Sequence, residues 1–272
     1  MTAVLTILGW LDLLGTAILA GGVSYAALVA PLSDSGRRVV NGGALLVAII
    51  LLGELAATGV RLNALAAADG SPLLWKLLAT HWGVLWIVRC VGLAAIVAAP
   101  VGSPAQLVVG ALWLLARSLQ AHAGAHGTLA AMIDWVHLSA ACAWMGGLLQ
   151  FVLSGVPNSV NIAERLRRVV TLSVLALVPA GVYGAFVHVP TFADLVSTAY
   201  GQVLLAKVAI AIALFALGAR NHFVHVPALQ RGHVTALGRL GNAVRLEIAG
   251  GALILLLSAL LGALPMPAPI VH

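Results

Sequence analysis

The sequence is short of charge. Only 8% of its 272 residues are Asp, Glu, Lys or Arg, while 62% are hydrophobic, and a soluble domain carries about 25% charged residues. So few charges cannot cover a water-facing surface, and the chain is therefore predicted to lie in a lipid bilayer. The same low polarity excludes intrinsic disorder. The apolar stretches are continuous rather than alternating, which argues against a transmembrane β-barrel.

Cysteine and enzyme motifs are also scarce. The two cysteines, Cys90 and Cys142, lie inside apolar stretches, so the disulfide framework of a secreted protein is not indicated. The sequence has no Walker motif, no HExxH and no arrangement typical of a Ser/His/Asp site. We therefore expect that the protein is not an enzyme.

Apolar sequence of helical length is abundant. Hydropathy and helix-breaking residues predict an all-α, polytopic membrane helix bundle that forms a single domain over residues 1–272. The first 30 residues contain no Lys or Arg, so they are interpreted as a retained helix rather than a cleavable signal peptide. The eight predicted transmembrane helices cover about 4–30, 39–60, 80–100, 104–120, 130–154, 168–188, 203–219 and 245–264.

The basic residues indicate an orientation. They are scattered at helix ends rather than clustered on one face, which argues against nucleic-acid binding despite a net charge of +6. Three basic residues, Arg61, Lys76 and Arg117, fall on one side of the predicted bundle and nine on the other, which by the positive-inside rule is cytoplasmic. Both termini are then predicted to face the periplasm or the extracellular space. The nine are Arg37, Arg38, Arg165, Arg167, Arg168, Arg220, Arg231, Arg239 and Arg245.

Five histidines fall at the predicted outer end, and His137 is the hardest of them to explain as an ordinary interfacial residue. It lies within an apolar helix, where an ionisable side chain needs a partner. Asp134 precedes it by three residues and Met132 by five. A carboxylate behind a ligating His fixes its tautomer, and imidazole with thioether suits copper. The candidate copper ligands are therefore His81, His122, His126, Met132, His137 and His188.

Other polar or sulfur-containing residues leave alternatives open. Cys142 and Met145 follow His137 along the same helix and are either a path for Cu(I) or, as we favour, packing residues. Asp12 or Glu54 either pairs with Arg89 or assists the passage of cations or protons. Glu247 is predicted to form an interfacial ion pair with Arg245. The cytoplasmic histidines His222, His225 and His233 are predicted to be solvated or to lie among lipid headgroups.

Several of these residues carry a resemblance to a known family. His122 with residues 137–148 (HLSAACAWMGGL, which includes Trp144), residues 198–207 (TAYGQVLLAK) and the last helix around Glu247 resemble the CopD/PcoD family of bacterial inner-membrane copper resistance and copper import proteins, YcnJ-like membrane domains among them. The resemblance implies copper uptake from periplasm to cytoplasm across the inner membrane. It also implies a periplasmic partner of the CopC type.

Two other functions stay open at the level of the sequence. The first is a b-type membrane cytochrome in which His137, with His81 or His188, ligates haem b. The second is a copper chaperone or assembly partner that binds copper, as Cu(I) or Cu(II), without transporting it. An absorption spectrum distinguishes haem from copper, and a flux measurement distinguishes transport from binding.

Overall fold

The computed structural model describes residues 2–66, 73–121, 127–155, 160–189, 191–231 and 235–265. All regular structure in these ranges is helical. In chain order the helices are α1 (Thr2–Leu28), α2 (Asp34–Ala66), α3 (Leu73–Leu78), α4 (His81–Ala98), α5 (Pro104–Gln120), α6 (Thr128–Leu153), α7 (Val160–His188), α8 (Phe192–Ser197), α9 (Ala199–Arg220), a π-helical turn (Asn221–His225), α10 (Val226–Gln230) and α11 (Thr235–Ala263).

The eight long helices match the eight predicted spans in number and order. Seven of them, all except α5, are long and apolar enough to cross a membrane. With 17 residues, α5 measures only about 26 Å at a rise of 1.5 Å per residue. The protein is thus an all-α helix bundle of the kind found in polytopic membrane proteins, and its natural surroundings are lipid.

Hydroxyl side chains set the starts of several helices. The Thr80 and Thr198 side chains accept hydrogen bonds from the backbone N–H groups of Gly83 and Gly201, at the starts of α4 and α9. Ser103 caps α5 in the same way and is followed by Pro104, whose missing N–H costs nothing in the first turn. The first N–H groups of a helix have no acceptor within the helix, and in these three helices a side-chain oxygen accepts one of those hydrogen bonds.

Two helices begin earlier than hydropathy predicted. α7 starts at Val160 rather than near residue 168, and α11 starts at Thr235 rather than near residue 245. The added turns are polar, and in α7 they are joined by ion pairs between Glu164 and two arginines, Arg167 and Arg168. Hydropathy detects the part of a helix that suits hydrocarbon, whereas these turns continue the backbone hydrogen bonding beyond it.

The long helices alternate in direction, which gives the bundle two ends. Gly9 in α1 packs against Ala259 in α11, so the start of α1 lies beside the end of α11. We call this the upper end. The loop at 29–33 lies at the lower end, where the Ser33 hydroxyl donates to the Leu153 carbonyl at the end of α6.

Close backbone contact between α1 and α6 organises the core. A Cβ atom on Gly21 or Gly146 would overlap the backbone of the other helix, so only glycine allows this approach. One hydrophobic cluster extends from this contact through the other long helices. On the outside, Leu52, Leu172 and Phe186 are 64%, 66% and 77% exposed, as expected for side chains that face lipid.

Candidate functional site

His137 lies in the upper half of α6 and faces α7. A methyl group on Gly181 would be 3.4 Å from its Cε1 atom, and the ring also interacts with the backbone of Leu177. The Nδ1 atom is buried and has no hydrogen-bond partner within the described ranges. A buried ring nitrogen without a partner is costly unless a ligand or water occupies it. His137 therefore keeps one ring nitrogen available for an added ligand.

The carboxylate predicted to orient this histidine takes a different role. Asp134 interacts electrostatically with Arg117 on α5 and Lys207 on α9, and no hydrogen bond joins it to His137. Lys207 also acts electrostatically on His137. The Asp134 carboxylate thus interacts with two partly buried cations and does not orient the imidazole ring of His137.

The other candidate ligands are spread over the upper end. His81 is exposed at the first position of α4, and Met132 is 38% exposed on α6. The Nδ1 atom of His188 lies 2.7 Å from the Gly184 carbonyl oxygen, and its ring stacks on Tyr200 at a centroid distance of 6.2 Å. The described residues contain no cluster of three or more His, Cys, Asp or Glu side chains that would hold a metal.

His122 and His126 lie outside the described residues. By sequence they fall between Gln120 and Thr128, which are the ends of α5 and α6 at the upper end of the bundle. Their contribution to a metal site stays a prediction.

A buried network of charges crosses four helices in the upper half. Arg89 on α4 donates to Glu54 on α2 at 3.0 Å and to Gln120 on α5 at 2.7 Å, and it lies 3.4 Å from Asp12 on α1. Arg117 donates to the other Asp12 oxygen through two nitrogens. The sequence left open which acid pairs with Arg89, and both acids do.

Arg117 and Gln120 were missed as members of this network. Arg117 lies near the end of the short predicted helix 104–120, and the sequence therefore indicates an interfacial position for it. The unpaired acid Asp12, in the middle of the first apolar helix, was the signal that a second cation had to approach it.

The sulfur-containing residues are involved in packing. Cys142 is buried on the α6 face whose backbone touches Gly21. Met145 places its sulfur against Gly251 of α11. Cys90 is partly buried on α4, packed against the core.

The lower half contradicts two expectations from sequence. Glu247 does not pair with Arg245: the residue is 2% exposed and its carboxylate accepts from the Asn221 amide, whereas Arg245 donates to Asn242. His225 is not solvated but buried. The reason is that α9 continues through the π-helical turn Asn221–His225 and carries this turn into the bundle. A hydropathy profile does not detect such a turn.

Comparison with known proteins shows that the chain is similar to proteins named for copper resistance and copper transport. Residues 160–261 match the family described as Copper resistance protein D. The chain is 27% identical to Copper transport protein CutJ of Bacillus subtilis (strain 168) over 164 residues, which are 57% of this chain and 29% of that protein. It is 28% identical to Copper resistance protein D of Pseudomonas syringae pv. tomato over 214 residues, which are 68% of this chain and 69% of that protein.

No solved structure matches the chain. The matched family segment holds α7 to α10, the π-helical turn and most of α11, while the identity with the Pseudomonas protein extends over two thirds of the chain. The chain is accordingly a distant homologue of Copper resistance protein D and CutJ, and its C-terminal helices match the family described as Copper resistance protein D.

Proposed function

We propose that the protein transports copper across a bacterial inner membrane, from the periplasm to the cytoplasm. Support for copper comes from the family match, whose relatives bear names that refer to copper resistance and copper transport. The observation that carries the proposed site is the buried Nδ1 atom of His137, which has no partner in the described part of the chain. Copper accepts imidazole nitrogen readily, and the ring is a ligand only in its neutral form.

The upper end is the entry side in this proposal. His122 and His126 belong by sequence to the segment that joins the upper ends of α5 and α6, and His137 lies below them on α6. Copper would first bind the outer histidines His122 and His126 and then reach His137. Met132, which is exposed and lies between His126 and His137 in the sequence, would assist this transfer. A periplasmic partner of the CopC type would deliver it there.

The lower end is the cytoplasmic side. Arginines concentrate there, near the starts of α2, α7 and α11, at the end of α9 and after α10, and the positive-inside rule assigns such an end to the cytoplasm. The buried network of Asp12, Glu54, Arg89 and Arg117 is balanced, with two carboxylates and two guanidinium groups. The network therefore holds α1, α2, α4 and α5 together without adding a net charge to the upper half of the bundle, where the proposed copper site lies.

The test is copper accumulation in cells and copper bound by the purified protein. We expect His137→Ala and His122→Ala each to lower both quantities while the amount of protein in the membrane stays unchanged. His225→Gln is the matched control, since it removes a buried histidine from the lower end, and it should keep normal copper content. Normal copper uptake in both alanine variants would remove His122 and His137 from the site.

The absorption spectrum of the purified protein tests the haem alternative. A copper-only protein shows no haem bands, whereas a Soret band with sharp α and β bands would establish a cytochrome. Binding of copper without flux into vesicles would instead establish a chaperone.

A further inference from the structure

A cavity with a carboxylate on its wall lies in the lower half of the bundle, away from His137. Its volume is about 290 Å³, and its walls come from α6, α7, α9, the π-helical turn, α10 and α11. Most of the wall is apolar, with Leu148, Phe151, Val170 and Leu214 among its residues. Phe223 lines it as well and is 73% exposed, so the cavity reaches the surface of the protein.

Glu247 is the one carboxylate on the wall of this cavity among the described residues. Its hydrogen-bond donor is neutral, the Asn221 amide, and the Trp144 side chain lies on the same cavity wall. The salt bridges of the described residues do not include it. A carboxylate buried in a membrane helix without a cation is strongly disfavoured as an anion, and such groups serve ion or proton movement in other membrane proteins.

Asn221 is suited to both protonation states of this carboxylate. Its amide nitrogen donates to the carboxylate, while its Oδ1 atom is buried and has no partner within the described ranges. A carboxylic acid donates one O–H, which Oδ1 accepts once the amide turns over. Asn221 also begins the π-helical turn, a local irregularity that often marks functional sites.

The other charged side chains around the cavity interact with groups other than Glu247. Arg167 on α7 donates to both oxygens of Glu164, at 2.7 and 2.6 Å, and lies 2.9 Å from His222 on the π-helical turn. His225 on the same turn interacts electrostatically with Arg220 and Arg239, both of which are exposed. The residues that line the cavity from α6, α9 and α10 carry no titratable side chain, and Glu247 is the only one from α11.

We infer that Glu247, with Asn221 and Trp144, is a proton-binding site that the cavity connects to the lower surface. The proton adds to one Glu247 oxygen and leaves from that same oxygen, while the Asn221 amide turns over and no other bond changes. This inference rests on the proposed function in one respect: the proton bound here is coupled to copper movement.

Infrared spectroscopy of the whole protein in liposomes tests the proton site without copper. Across a pH titration, wild-type protein should lose a carboxylic acid C=O band as the pH rises, and Glu247→Gln should lack that band. Glu164→Gln, which removes a carboxylate outside the cavity, should keep it. The same band in Glu247→Gln would overturn the proton site. Glu247→Asp keeps a carboxyl group, so a shifted band in this variant serves the same test where the glutamine variant folds poorly.

Copper flux under an imposed pH gradient tests the coupling. The gradient should change the flux of the wild type and of Glu164→Gln, and leave that of Glu247→Gln unchanged. A gradient response in Glu247→Gln equal to that of the wild type would overturn the coupling. Absence of copper flux from every variant would instead contradict the proposed function, and the infrared result would still decide the proton site.

Discussion

Asp12 connects two arginines from different helices in the interior of the bundle. One of its oxygens lies 3.4 Å from Arg89, and the other accepts from Arg117 at 3.1 Å through Nε. Arg89 has a second acid, Glu54, but Arg117 has no other carboxylate within salt-bridge distance in the described ranges. Removal of Asp12 would leave a guanidinium group buried without its anion, which costs more free energy than an absent pair.

Asp12→Ala should therefore lower the free energy of unfolding by about 3–5 kcal/mol, the usual cost of breaking a buried ion pair. The measurement is denaturant or thermal unfolding of the protein in detergent micelles. Glu164→Gln breaks an ion pair that is partly exposed, and such pairs contribute about 1 kcal/mol or less. Equal losses in the two variants would contradict the structural role of Asp12.

At the scale of elements, the position of α6 against α1 depends on glycine. A Cβ atom at Gly146 would lie 2.7 Å from the Ala17 carbonyl oxygen, which is closer than real Cβ contacts allow. The two backbones would have to separate. His137 and Trp144 are positioned by this same contact, because they belong to the same continuous helix.

Gly146→Ala is expected to destabilise the bundle by about 1–3 kcal/mol, as overpacked cores do. Gly42→Ala on α2 is the matched control. Nothing lies within 4 Å of a Cβ at Gly42, so alanine should be neutral or stabilise α2 by up to about 1 kcal/mol through helix propensity. Thermal unfolding of both variants checks the difference in sign, and a stabilised Gly146→Ala variant would contradict the close contact.

Element boundaries show where hydropathy stops being informative. It located the apolar centre of every long helix, and it placed α5 at the residues that the structure assigns, because Ser103, Pro104 and the segment after Gln120 bound it. It missed the polar first turns of α7 and α11 and the continuation of α9 through Asn221–His225. Those segments are helical because of ion pairs and tertiary contacts, which an apolarity scale does not include.

At the scale of the whole molecule, the proposed orientation can be tested by labelling. Val101 lies in the loop between α4 and α5 at the lower end, and Thr128 begins α6 at the upper end; both positions are exposed. In a background with Cys90→Ala and Cys142→Ala, a single cysteine at Thr128 should react with a membrane-impermeant thiol reagent in intact cells. A cysteine at Val101 should react only after the membrane is permeabilised. The reverse pattern would invert the proposed direction of copper transport.

The sequence by itself determined that this protein is a membrane helix bundle, how many long helices it has and in which order, because burial in hydrocarbon demands long apolar helices and tolerates few charges. It also carried the resemblance to the CopD family. Only the tertiary structure decided which charges meet: Asp12 with Arg117, Glu54 with Arg89, and Glu247 with Asn221 instead of Arg245. These partners are 26 to 105 residues apart in sequence. They are close in space because the helices pack together, partly through glycine contacts, and a hydropathy profile carries no information about which helices pack together.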